Sequence, residues 1–233
     1  MSGATRYPLI GGADLSAALA ASLGVPDAAV AVADGALPLL DRLLLAYLRP
    51  GDEVVMAWRS YEAYPLSVQV AGGRSVQVPL TDSGAHDLAA MAAAIGPSTR
   101  VAIVCNPNNP TGTVVPWSAL SDFLDAVPPD VLVVLDEAYT EYDARSRPAS
   151  MSVPELARRG NVVVLRTLLQ GARARRPARG LPGLVSAEVA GRSDPSSRPS
   201  RSRRWPSPPP WPRSPTRRCS PLAWRPPARS ARG

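Results

Sequence analysis

The sequence predicts an α/β fold with a mostly parallel sheet, followed by a disordered tail. Three observations carry this. Residues 101–105 and 131–135 are short, β-branched-rich runs bounded by turn residues, and read as strands buried on both faces. Between them Trp117, Leu120, Phe123, Leu124 and Val127 have helical spacing, which fits the crossover helix of a parallel unit. The composition then changes after Thr167. Residues 1–167 hold eleven arginines against seventeen acidic residues, whereas residues 168–233 hold fifteen arginines against two. The net charge of +7 therefore belongs to the tail, and a basic-partner reading of the whole chain is unwarranted.

Residues 15–23 space their leucines as an amphipathic helix that Gly24 and Pro26 end. No basic cluster precedes them and no apolar run reaches transmembrane length, so the expectation is a cytoplasmic protein with no membrane partner. Residues 30–32 form a short strand. Ala33-Asp34-Gly35-Ala36 is a tight loop into a helix over 37–48, with Pro38 in the first turn, where a missing N–H costs nothing. Such an entry offers free N–H groups and a positive dipole end to an anion, although an ordinary strand-to-helix turn looks the same. Arg49-Pro50-Gly51-Asp52 stops the helix.

A strand over 53–57 ends at Trp58-Arg59-Ser60-Tyr61-Glu62-Ala63-Tyr64-Pro65, whose tyrosines either cap a core or present a flat π-face. A short helix over 66–71, a strand over 75–79 and an alanine-rich helix over 87–95 follow. His86, the only histidine, lies in the turn before that helix and reads as a solvated or capping residue. A polar loop over 141–152, a short helix over 154–159 and a buried strand over 161–167 complete the domain. Cys105 reads as core packing. With Cys219 the only other cysteine there is no disulfide framework, and no metal site is expected.

In parallel sheets the ligand site lies beyond the carboxyl ends of the strands. Asn106, Asn108, Asn109, Asp136, Glu137 and Tyr139 all fall there. A carboxylate directly after V-L-V-V-L is costly to bury alone, so Asp136 needs a partner; the alternative is a strand-end cap.

The text N-P-N-N-P-T-G at 106–112, followed by D-E-A-Y at 136–139, resembles the fold-type I pyridoxal-phosphate aminotransferases. The nearest branch is the histidinol-phosphate aminotransferases with their aromatic amino-acid relatives. W-R-S-Y-E-A-Y-P at 58–65 is similar to the actinobacterial-type members of that branch. The resemblance runs over 6–167. It implies pyridoxal 5'-phosphate as cofactor and amino transfer from histidinol phosphate or an aromatic amino acid to a 2-oxo acid such as 2-oxoglutarate. It also implies a homodimer.

By the same resemblance Asp136 pairs with the pyridine nitrogen, Asn109 and Tyr139 bond the ring oxygen, and Tyr61 stacks on the ring. Gly35 and Ala36 belong to the phosphate loop, where Ala33 and Ala36 replace the family's first glycine and small hydroxyl. Arg6-Tyr7-Pro8 is similar to the family's N-R-Y-P, in which the tyrosine reaches the cofactor phosphate of the neighbouring subunit. A phosphothreonine decarboxylase shares this fold and stays open as an alternative. The family's asparagine-rich N-terminal arm, later strands and small domain are not legible. The expectation is a fragment, poorly soluble or disordered in isolation.

The family's chemistry needs a lysine that forms a Schiff base with the cofactor. It should follow the strand over 161–167, in a phrase like F-S-K. The text there is Leu168-Leu169-Gln170-Gly171, and the chain contains no lysine. Arginine is no substitute, since its guanidinium stays protonated. No catalytic residue is therefore assigned, and the chain as written is expected to be inactive. Leu-Leu-Gln-Gly can be spelled so that reading one base later gives Phe-Ser-Lys, and an Arg/Pro/Ser-rich tail is what a GC-rich gene yields out of frame. The sequence thus suggests a frameshift after Thr167. The competing reading is a basic disordered tail that binds nucleic acid non-specifically, with Trp205, Trp211 and Trp224 among its arginines.

Overall fold

The structure, a computed structural model, describes residues 13–167 and 186–190. The chain divides into two units, 1–197 and 198–233, and every described residue lies in the first. The expectations for Tyr7, for the lysine position and for the tail tryptophans lie outside the described residues. Helix α1 (Ala13–Leu23) is followed by β1 (Val30–Ala33), α2 (Ala36–Tyr47), β2 (Glu53–Trp58), α3 (Ala63–Val70) and β3 (Arg74–Pro79). Then come α4 (Leu88–Ala93), β4 (Thr99–Cys105), α5 (Trp117–Ala126), β5 (Leu132–Asp136), α6 (Val153–Arg158), β6 (Val162–Leu165) and β7 (Ser186–Ala190).

The strands form one sheet in the order β1-β7-β6-β5-β4-β2-β3. Strands β2 to β6 are mutually parallel, and β7 runs antiparallel to both β1 and β6. Strand β7 stands inside the stretch that the composition assigned to a disordered tail. Backbone pairing decides it: these five residues supply ladder partners to two strands whose facing N–H and C=O groups would otherwise go unpaired.

Because side chains alternate along a strand, the sheet sorts its residues into two cores. Ala102, Val104, Val133, Leu135, Val162 and Val164 face α4, α5 and α6. Val101, Ile103, Cys105, Leu132, Val134, Val163 and Leu165 face α2 and α3, against Leu39, Leu40, Leu43, Leu44, Tyr64 and Val68. This is why the strands are apolar throughout rather than alternating. The same parity decides what happens where β5 ends.

Candidate functional site

Asp136 is the last residue of β5 and pairs in register with Cys105 and Leu165. Its parity is that of Leu132 and Val134, so it faces the α2/α3 side. There the Tyr64 hydroxyl donates to Asp136 Oδ2 at 2.6 Å, and the Ala138 N–H donates to Oδ1 at 2.9 Å. Asp136 is only 6 % exposed, and among the described residues no cation reaches it. Burial pushes its carboxyl pKa up. The Tyr64 hydroxyl and the Ala138 N–H pull it back, and the charge of Glu137 adds to the rise.

Tyr64 has no role of its own in the sequence motifs, which give the ring contact to Tyr61. It is fully buried at the start of α3, and burial followed by the Asp136 charge raises its pKa well above the ordinary value. It is therefore a hydrogen-bond donor at every working pH. The signal for it was its position three residues after Tyr61, with Val68 one turn further on the same face of α3. Tyr61 itself is half-buried and meets Tyr64 edge-on, with ring centroids 5.5 Å apart. Cys105 is buried as expected, its thiol pushed up to about 12 by burial and by Asp136, and its Sγ donates to the Pro107 carbonyl at 3.3 Å.

Glu137, expected on the same rim, turns to the opposite face. It is 1 % exposed and bound by two arginines. Arg147 donates to both its oxygens, and Arg166 donates to Oε2 through Nε at 2.9 Å and Nη2 at 2.8 Å. The Arg147 guanidinium also lies 5.0 Å from the centre of the Trp117 ring. Glu137 thus staples the loop before α6 to the ends of β5 and β6, and is not part of the rim.

The three asparagines separate in the same way. Asn106 accepts the Val115 N–H at 3.0 Å and is buried. Asn108 is buried with both ends of its amide bonded, including a bond to His86 Nε2 at 3.0 Å. His86 is accordingly a buried anchor, not the solvated or capping residue the turn suggested; Asp87 caps α4 instead, accepting from the Ala90 N–H. Asn109 is the half-exposed one. It lines an open cleft of about 420 Å³ with Tyr139, Tyr142, Pro107 and Gly112, to which the buried Asn108 also contributes. Asp136, Tyr61 and Gly35 do not line that cleft, so the candidates are spread along the rim and are not gathered in one cavity.

Gly35 begins α2 with φ 143°, a value that L side chains rarely adopt. Among the described residues no side chain caps this start and no acidic residue stands in its first turn, so the N–H groups of Ala36 and Leu37 are free to meet an anion. Taken one by one, a buried carboxylate that no cation reaches among the described residues suits a positive ring nitrogen, an uncapped helix start suits a phosphate, and the Tyr61 face suits a flat ring. Among the described residues no cluster suits a metal ion.

The fold is a mostly parallel α/β sheet with these polar and aromatic residues at its strand ends. The chain belongs to the family described as aminotransferase class I and II, whose profile matches residues 1–168. It is 51 % identical over 165 residues to an aromatic amino acid aminotransferase of Corynebacterium diphtheriae, covering 71 % of this chain and 48 % of that protein. It is 52 % identical over 162 residues to the one of Streptomyces coelicolor, covering 70 % and 45 %. Among solved structures it matches histidinol-phosphate aminotransferase of Sinorhizobium meliloti in complex with pyridoxal 5'-phosphate, with a TM-score of 0.67 at 30 % identity over 79 % of this chain and 48 % of that one. It also matches aspartate aminotransferase of Thermus thermophilus with maleate, with a TM-score of 0.66 at 26 % identity over 81 % and 50 %. The chain spans about half the length of the curated relatives it matches. The family uses pyridoxal 5'-phosphate.

Proposed function

We propose that residues 1–167 form the cofactor-gripping part of a pyridoxal-phosphate aminotransferase whose lineage transfers amino groups from aromatic amino acids to 2-oxo acids. The buried carboxylate of Asp136 at the end of β5, which no cation reaches among the described residues, carries the reading. Asp136 would hold a protonated ring nitrogen, and Tyr64 would hold Asp136. Asn109 and Tyr139 would meet the ring oxygen, Tyr61 the ring face, and the N–H groups after Gly35 the phosphate. The cofactor, when bound, supplies an electron sink for breaking bonds at the carbon that carries the amino group.

Aromatic donors are favoured over histidinol phosphate because relatives at about 51 % identity are named for them. A homodimer, with Tyr7 reaching the neighbouring subunit, and a cytoplasmic setting complete the proposal; among the described residues no helix is long and apolar enough to cross a membrane. Residues 168–233 carry the family's lysine position without a lysine, so the chain as written holds the cofactor but does not turn over. A titration of the full chain with pyridoxal 5'-phosphate, followed by absorbance and protein fluorescence, tests this. Saturable binding that Asp136→Ala abolishes is expected, with no transfer from phenylalanine or histidinol phosphate to 2-oxoglutarate. Absence of saturable binding would sink the cofactor reading, and turnover by pure protein would sink the inactivity.

A further inference from the structure

The loops after β2, β3 and β4 are tied together by one side-chain network centred on Asn108. Its Oδ1 accepts from the Ser60 hydroxyl at 2.7 Å and from His86 Nε2 at 3.0 Å. Its Nδ2 donates to the Arg59 carbonyl at 3.1 Å and to Thr111 Oγ1 at 2.9 Å. Thr111 Oγ1 lies 2.8 Å from Thr113 Oγ1, and the Thr113 hydroxyl donates to the Gly84 carbonyl at 2.8 Å. The turn after β3 therefore reaches the asparagine loop twice, through His86 and through Gly84. That turn is closed on itself. Thr81 N–H donates to the Ala85 carbonyl at 2.9 Å, Gly84 N–H donates to the Thr81 carbonyl at 2.8 Å, and Leu80 and His86 form an antiparallel bridge.

The hydrogen-bond pattern fixes the state of the imidazole. An amide oxygen only accepts, so Nε2 must carry the proton. Nδ1 is then the bare nitrogen, and among the described residues it is the one without a partner. A neutral ring tolerates that; burial, opposed only by the bond to Asn108, lowers the pKa of His86 and keeps it neutral. A histidine is thus held dry with one nitrogen unsatisfied in order to grip a single amide. The residue after that amide is Asn109, which lines the cleft beside Tyr139.

We propose that His86 is a positioning residue for the cofactor. By fixing the Asn108 amide it sets the direction of Asn109 toward the ring oxygen. This rests on the cofactor reading given above.

Two variants of the full chain test it. His86→Gln keeps an N–H donor near the place of Nε2, whereas His86→Phe fills the space without one. The Asn108 N–H donates to the Thr113 carbonyl at 2.8 Å and the Gly112 N–H to the Asn108 carbonyl at 2.7 Å, so hydrogen exchange at these two amides reports on the loop. In the unliganded protein His86→Phe should speed their exchange about tenfold, with His86→Gln near the unaltered chain. Affinity is then measured for pyridoxal 5'-phosphate and for its analogue lacking the ring hydroxyl. His86→Phe should lose about tenfold for the first and nothing for the second, with His86→Gln intact for both. Equal losses on both ligands would make His86 a general structural prop and overturn the proposal, as would unchanged loop exchange in His86→Phe. Binding of neither ligand by the unaltered chain would overturn the cofactor reading itself, a failure distinct from the other two.

Discussion

At the scale of single residues, Asp136 and Tyr64 form a buried hydrogen-bonded pair at the end of β5. A carboxyl whose pKa is higher in the folded chain than in the unfolded one pays a penalty for ionisation. That penalty is fully present above the folded pKa and disappears as the pH falls toward the unfolded value. Asp136→Asn removes it. The asparagine can accept the Ala138 N–H through Oδ1 and donate to the Tyr64 oxygen through Nδ2. In the absence of cofactor the variant should therefore melt above the parent chain at neutral pH, and its advantage should shrink as the pH is lowered. Melts at a series of pH values check this; an advantage that grows on acidification would contradict it. His86 has the opposite sign. Its folded pKa is lowered, so its contribution is present above the ordinary histidine pKa of about 6.5 and is lost as the pH falls. Tyr64→Phe leaves Oδ2 of Asp136 without a donor inside the core. It should cost about 1–3 kcal/mol in denaturant unfolding, and more at neutral pH than in acid, where the protonated carboxyl needs the donor less.

At the scale of elements, strands and helices were legible because both faces of a parallel sheet are buried. The runs around Val133 and Val163 are therefore apolar throughout, and their shortness, β-branched content and flanking turn residues mark them as strands. Asp136 and Asn109 were legible because the motif places them at strand ends. Glu137 was not. Its neighbour's role is visible in the text, but the direction of its own side chain follows from strand parity, and its partners Arg147 and Arg166 lie ten and twenty-nine residues away. His86 was hidden for the same reason, because its contact with Asn108 joins residues twenty-two apart. The Glu137 staple should be costly to cut from the acid side. Glu137→Ala leaves two guanidinium groups facing one another across a space lined by Trp117. Because both arginines keep some exposure, the loss should sit near the low end of what breaking a buried pair costs, about 3 kcal/mol. Arg147→Ala, which leaves Arg166 on the carboxylate, should cost less. Urea unfolding of the two variants gives the comparison, and a smaller loss in Glu137→Ala than in Arg147→Ala would be inconsistent with the staple.

At the scale of the whole molecule, the one neighbour of β1 in the sheet among the described residues is β7. Gly35 and the start of α2, the phosphate end in the proposed function, follow directly from β1, so they depend on five residues from the arginine-rich part of the chain. Two shortened chains separate the contributions: one ending at residue 185, the other at 197, the end of the first unit. The amides of Val30–Ala33 should be protected from exchange in the longer chain and exposed in the shorter, with β4 and β5 protected in both. Equal protection of β1 in the two would mean that α1 and α2 hold it without a ladder partner.

The β7 ladder also bears on how a change of reading frame would act here. Hydrogen bonding between main chains is indifferent to which letters are spelled, provided they avoid proline, so a mistranslated stretch can still be stitched between its two neighbours. An amine able to attack an aldehyde has no such latitude, because it depends on one codon. The same accident at the gene would then spare the architecture of the sheet's far edge and silence the chemistry, leaving a molecule that keeps its vessel and loses its reagent.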